Sequence, residues 1–134
     1  MEGERDLERL LAVLEPVQRA GTFVVALVED EALLAAVAPE ATVREDEGLT
    51  VVLRREQADR LGIPYDYVAV WITLGVHSAL DAVGLTAAIS RALADAGLSC
   101  NVIAGYHHDH LLVPADRASE ALAVLSELSR GART

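Results

Sequence analysis

The sequence predicts an α+β fold built as a tandem repeat with a degenerate first copy. Three observations carry this reading. The second half alternates apolar and polar residues in the order strand, helix, strand, strand, helix. The first half gives a weaker copy of that order, with a short helix and a hairpin in the matching places. A dense apolar segment over residues 66–76 joins them. At 134 residues the halves 1–65 and 66–134 are each near the size at which a separate core is modest, so they are expected to lend strands to one another.

Leu7, Leu10, Leu11 and Leu14 recur at helical spacing until Pro16 and Gly21 stop the pattern, which predicts an amphipathic helix over residues 4–15. The run 22-TFVVALV-28 is a strand. Asp30 is placed to cap a short helix through Val37. The runs 41-ATVRE-45 and 49-LTVVLR-54 flank Asp46-Glu47-Gly48 as a hairpin would, with a solvated acidic tip. Residues 55–62 are one or two helical turns closed by Gly62.

In the second half, residues 67–76 form a strand and roughly 80–96 a helix, with Leu85, Ile89, Ala92, Leu93 and Ala96 on one face. Ser78 or Asp81 is expected to cap its start and Gly97 to end it. Strands follow at 100–105 and 109–113 around a turn at Tyr106 to His108. Pro114 and Asp116 announce a last helix, striped by Ala118, Ala121, Leu122, Leu125 and Leu128. The result is a split βαβ pattern without its last strand. Either the first half or a second chain closes that gap.

Composition excludes several functions. All eleven basic residues are arginine, and twenty-one acids leave a net charge of −10, a sign that repels nucleic acid and anionic membrane surfaces. The longest apolar run, 68-VAVWITLGV-76, is far short of a membrane span. Cys100 is the only cysteine and the first ten residues lack a signal-peptide pattern, which fits a cytoplasmic protein without an intrachain disulfide.

The string 76-VHSALDAVGLTAAISRALADAGLSCNVIAGYHHDHLLVP-114 resembles a bacterial family of small stand-alone proteins with two ACT-like domains, and 42-TVREDEGLTVVL-53 carries a weaker likeness in the first half. The resemblance implies two ferredoxin-like βαββαβ units that bind small molecules, usually amino acids, and signal to a partner. It implies a ligand site at Val76, His77, Ser78 and Gly84, facing Asn101, Val102 and Ile103. The common pattern has proline before the helix-opening glycine, where this chain has Val83.

The residues support such a site in their own terms. A helix N-terminus offers unpaired N–H groups for a carboxylate, Gly84 allows close backbone approach, and Ser78 and Asp81 suit an ammonium or hydroxyl. Capping and helix-on-sheet packing explain the same residues. Trp71 reads as a core residue. Three of the four histidines cluster at 107–110. An alternative is therefore a transition-metal site drawn from His77, Cys100, His108 and His110, on the premise that His108 and His110 share one side of a strand. A third reading is a ligand-free interaction module, dimeric through its strand edges. No GxSxG, HExxH or phosphate-cradling glycine loop is present, so no catalytic residues and no cofactor are assigned. The leading expectation is a non-catalytic regulatory module that binds a small molecule, an amino acid above all, forms a homodimer and acts through a separate protein.

Overall fold

The structure, a computed structural model, describes residues 3–133. They form two compact units, residues 20–69 and residues 3–19 with 70–133. The sequence places residues 1–65 in one half, whereas packing sets residues 3–19 in the company of 70–133.

In the 20–69 unit the order is β2 (Phe23–Val28), α2 (Glu31–Ala36), β3 (Ala41–Glu45), β4 (Gly48–Arg54) and α3 (Arg55–Leu61). The hairpin is as expected, with Glu45 paired to Gly48 across two turn residues. β4 pairs antiparallel with β2 along its length, Phe23 opposite Arg54 and Val28 opposite Leu49. Phe23 and Val24 also pair with Ala69 and Val68, the first two residues of β5 (Val68–Leu74), which supply the unit's fourth strand. Asp30 caps α2 as predicted, its carboxylate accepting from the Ala32 N–H at 2.9 Å. Val24, Ala26, Val28, Val51, Leu53, Ala58 and Ile63 make the core.

The other unit contains α1 (Leu7–Ala12), β1 (Pro16–Gln18), β5 from Val70 onward, α4 (Leu85–Asp95), β6 (Asn101–Ala104), β7 (Asp109–Pro114) and α5 (Ala118–Arg133). Its strands lie in the order β1-β5-β7-β6. The strand missing from the second half is therefore β1, a three-residue strand of the same chain, antiparallel to β5 with Pro16 opposite Leu74 and Gln18 opposite Ile72. Those N–H and C=O groups would otherwise stand on an open sheet edge. Helices α1, α4 and α5 cover one face of this sheet. Leu10, Leu14, Ile72, Leu74, Leu93, Val113, Ala121 and Leu125 are wholly buried there. Fully burying a leucine contributes about 1.5–3 kcal/mol. The Ser129 hydroxyl donates to the Ala12 carbonyl at 3.0 Å and ties α5 to the end of α1. Arg117 donates to the carbonyls of Gly97 at 2.8 Å and Ala96 at 3.2 Å, satisfying acceptors where α4 ends.

Two expectations need correction. The first helix is shorter than residues 4–15, because the Asp6 carboxylate accepts from the Arg9 N–H and starts it at Leu7. Neither Ser78 nor Asp81 caps α4, which starts at Leu85 after Gly84. Gly84 holds φ +103°, a left-handed value that strains any residue with a Cβ. The loop 77–83 stays irregular because both would-be caps have other partners.

Candidate functional site

Those partners build the site. β5 ends at Leu74 and the chain continues through buried Val76 into the loop 77–83. An N-terminal arm, residues 3–5, lies alongside this loop in a parallel bridge of Glu4 with Ser78. The Glu4 N–H donates to the His77 carbonyl and the Ala79 N–H donates to the Glu4 carbonyl, both at 2.9 Å. Gly3 makes the approach possible: a Cβ there would lie 2.4 Å from the Ser78 carbonyl carbon and 2.5 Å from the Ala79 nitrogen. Arg5 then reaches Asp81 through two contacts, Nε to Oδ1 at 2.9 Å and Nη2 to Oδ2 at 3.2 Å. The Ser78 hydroxyl, 9% exposed, donates at 3.4 Å to Asp109 Oδ2 on β7.

Arm and loop border an open pocket of about 280 Å³ lined by Gly3, Arg5, His77, Ser78, Ala79, Leu80, Asp81 and Tyr106. Its walls carry one guanidinium, one carboxylate, one imidazole and two exposed apolar side chains, Leu80 and Tyr106, each 66% exposed. A smaller recess of about 110 Å³ lies beside it, between Ser78, Ala82, Leu85, Thr86, Ala104 and Asp109. A larger groove of about 650 Å³ runs between α1, α4 and α5, floored by Leu11, Ala92 and Leu128.

Of the expected ligand residues, His77, Ser78 and Asp81 come together on the 280 Å³ pocket. Val76 sits in the core beneath them, and Gly84 packs toward Leu7, to which a Cβ would come within 3.0 Å. Asn101, Val102 and Ile103 lie on β6, at the end of the strand order, and line neither the pocket nor the recess. The main omissions from the sequence reading are Arg5, Gly3 and Tyr106. Only an arginine near the start of an amphipathic segment marked the first of these, and it stands 76 residues from its partner.

The metal set His77, Cys100, His108 and His110 is not brought together. β7 begins at Asp109, and residues 106–108 form a turn closed by the Gly105 N–H donating to the His108 carbonyl at 2.9 Å. The alternation that would align His108 with His110 therefore does not apply. The His108 ring lies 6.4 Å from that of His77, whereas His110 packs against Trp71 at 5.2 Å. Cys100 is partly buried against the core, and burial raises its thiol pKa. Among the described residues no three His, Cys, Asp or Glu side chains are grouped to hold a metal ion.

His110 has a structural role instead. Its Nδ1 lies 3.0 Å from Thr73 Oγ1 and accepts from the Trp71 indole N–H at 3.3 Å. Burial lowers its pKa, with His108 and Arg19 acting the same way against an opposing pull from Asp109. The unfolded chain then binds the proton more readily than the folded one, so stability is complete above the ordinary histidine pKa and falls as pH drops through it toward the lowered value. The expected result is a urea midpoint that decreases from pH 7.5 to pH 5, with a smaller decrease in His110→Gln. Equal decreases in both proteins would remove His110 as the cause.

A family model for the ACT domain matches residues 2–70, and a second model for the ACT domain matches residues 67–127. The chain belongs to the ACT-domain family. It carries two such domains in tandem with the expected ferredoxin-like α+β fold. Its structure is similar to that of a protein of unknown function from Vibrio cholerae, named as a possible transport protein. The two are 44% identical, with a TM-score of 0.83 over 92% of this chain and 95% of that one. It also resembles the aspartokinase alpha and beta subunits, with a TM-score of 0.62 and 13% identity over 87% of this chain and 97% of that one. The regulatory subunit of aspartate kinase from Thermus flavus gives 0.58 and 10% over 84% and 95%. At such identities the last two show a shared fold. No curated protein matches the chain. No helix among the described residues is long and apolar enough to cross a membrane.

Proposed function

We propose that this tandem ACT protein is a non-catalytic regulatory module whose signal is a small polar ligand, an amino acid, bound at the loop after β5. One observation carries the reading. The loop after β5 borders a pocket of about 280 Å³ lined by the Arg5 guanidinium and the Asp81 carboxylate, paired with one another, and by Leu80 and Tyr106. That volume lies just below the range of about 300–1,000 Å³ usual for drug-sized ligands and suits a molecule of amino-acid size. An α-carboxylate would find Arg5 and an ammonium would find Asp81, exchanging one exposed ion pair for two charge-assisted contacts. The aspartokinase regulatory neighbours add the precedent of this fold in a regulatory role. Output passes through a separate cytoplasmic protein, by a shift in population toward the ligand-bound state.

The test is thermal unfolding of the protein with each of the twenty common amino acids. One or a few are expected to raise the melting temperature saturably, by the equivalent of about 2.7 kcal/mol at a hundredfold excess over Kd. Asp81→Asn is expected to abolish the shift while leaving the ligand-free melting temperature nearly unchanged, because the pair with Arg5 is exposed. No shift with any amino acid would end this reading.

A further inference from the structure

One wall of the pocket belongs to residues 3–5, which precede α1 and lie far in sequence from the loop 77–81 that they face. Gly3 and Arg5 line it, and they are held there by two backbone hydrogen bonds and the pair with Asp81. Undocking the arm would open the pocket on one side and remove the only guanidinium among its lining residues. We infer that the N-terminal arm, residues 3–5, is a working part of the ligand site, so that arm docking and ligand binding are one coupled equilibrium. This rests on the ligand reading above and adds a regulatory element to it.

The geometry supports coupling in the positive direction. The pocket exists with the arm docked, so a ligand seated in it touches the arm on one side and loop 77–81 on the other and favours their closed arrangement. By linkage, whatever weakens arm docking weakens the ligand by the same factor. Release of the arm exposes the backbone edge of residues 77–79, which a partner protein can read. The close contact of Gly3 offers a lever far from any ligand atom, because every Cβ at that position collides with backbone atoms of Ser78 and Ala79.

Hydrogen exchange by NMR at the Glu4 and Ala79 amides reports docking directly, since both donate across the arm-to-loop bridge. The probe is an equimolar mixture of the twenty amino acids, followed by those that raise the melting temperature. In the unaltered protein the probe is expected to slow both amides about tenfold or more, with no change at the Leu93 amide in α4. In Gly3→Val both amides are expected to exchange at least about tenfold faster without ligand, and about tenfold more probe is needed for the same melting shift. Gly3→Ala, whose Cβ meets the same Ser78 and Ala79 backbone atoms, serves if Gly3→Val does not fold, and is expected to weaken the probe in the same sense. A melting shift with unchanged exchange at Glu4 and Ala79, or with undiminished affinity in the Gly3 variant, would overturn the coupling and leave the ligand reading standing. No melting shift at all would remove both.

Discussion

A fragment of residues 66–134 will not fold by itself, although it holds every helix and strand that the sequence assigns to the second half. Its sheet would lack β1, and α4 and α5 would lack α1. Leu10 and Leu14, both 0% exposed, account for about 3–6 kcal/mol of burial between them, against a usual total domain stability of about 5–15 kcal/mol. The backbone of β5 that faces β1 would become an open edge, and the Ser129 hydroxyl would lose its acceptor at Ala12. Circular dichroism and dispersed amide resonances check this: the fragment is expected to be unfolded or aggregated. Adding a peptide of residues 3–19 is expected to restore a cooperative transition. A fragment that melts cooperatively without the peptide would show that the N-terminal segment only decorates the unit.

Leu93→Ala is expected to destabilise the full chain by about 2–5 kcal/mol, whereas Leu80→Ala is expected to stay within about 0.5 kcal/mol. Leu93 is 0% exposed on the face of α4 that meets the sheet, so truncation leaves a cavity among Leu10, Ile72 and Leu125 and their neighbours in that core. Leu80 is 66% exposed and touches the pocket rather than the core. The two substitutions separate fold from site: urea unfolding registers the first, and affinity for the stabilising amino acid registers the second. Similar urea midpoints for the two variants would contradict the assignment of α4 to the core.

The elements most legible in the sequence are those whose signals are local. The hairpin at 41–54 was visible because its strand runs flank an acid-acid-glycine turn. Helix α5 was visible because Ala121 and Leu125 recur at helical spacing behind Pro114, and both are buried. The start of α4 is not legible in the sequence because Ser78 and Asp81 are good caps by type, while the choice between capping a helix and bonding Asp109 or Arg5 is made by tertiary structure. β1 was hidden for a different reason. Three residues beginning with a proline give no alternation to read, and a sheet partner 54 or more residues away turns them into a strand.

The candidate site divides the same way. His77, Ser78 and Asp81 are near neighbours in sequence and legible together, whereas Gly3 and Arg5 reach them across more than seventy residues. The histidine cluster shows the opposite error, since proximity in sequence promised convergence. The turn at 106–108 sends His108 toward His77, while β7 holds His110 against Trp71 and Thr73.

The most direct test of the central claim is backbone chemical-shift mapping with the amino acid that most raises the melting temperature. The account predicts saturable shifts concentrated at Arg5, His77 to Asp81 and Tyr106, with one dissociation constant shared among them. Shifts centred on β6, on the groove between α1, α4 and α5, or within residues 20–69, with the amides of 77–81 unmoved, would contradict it.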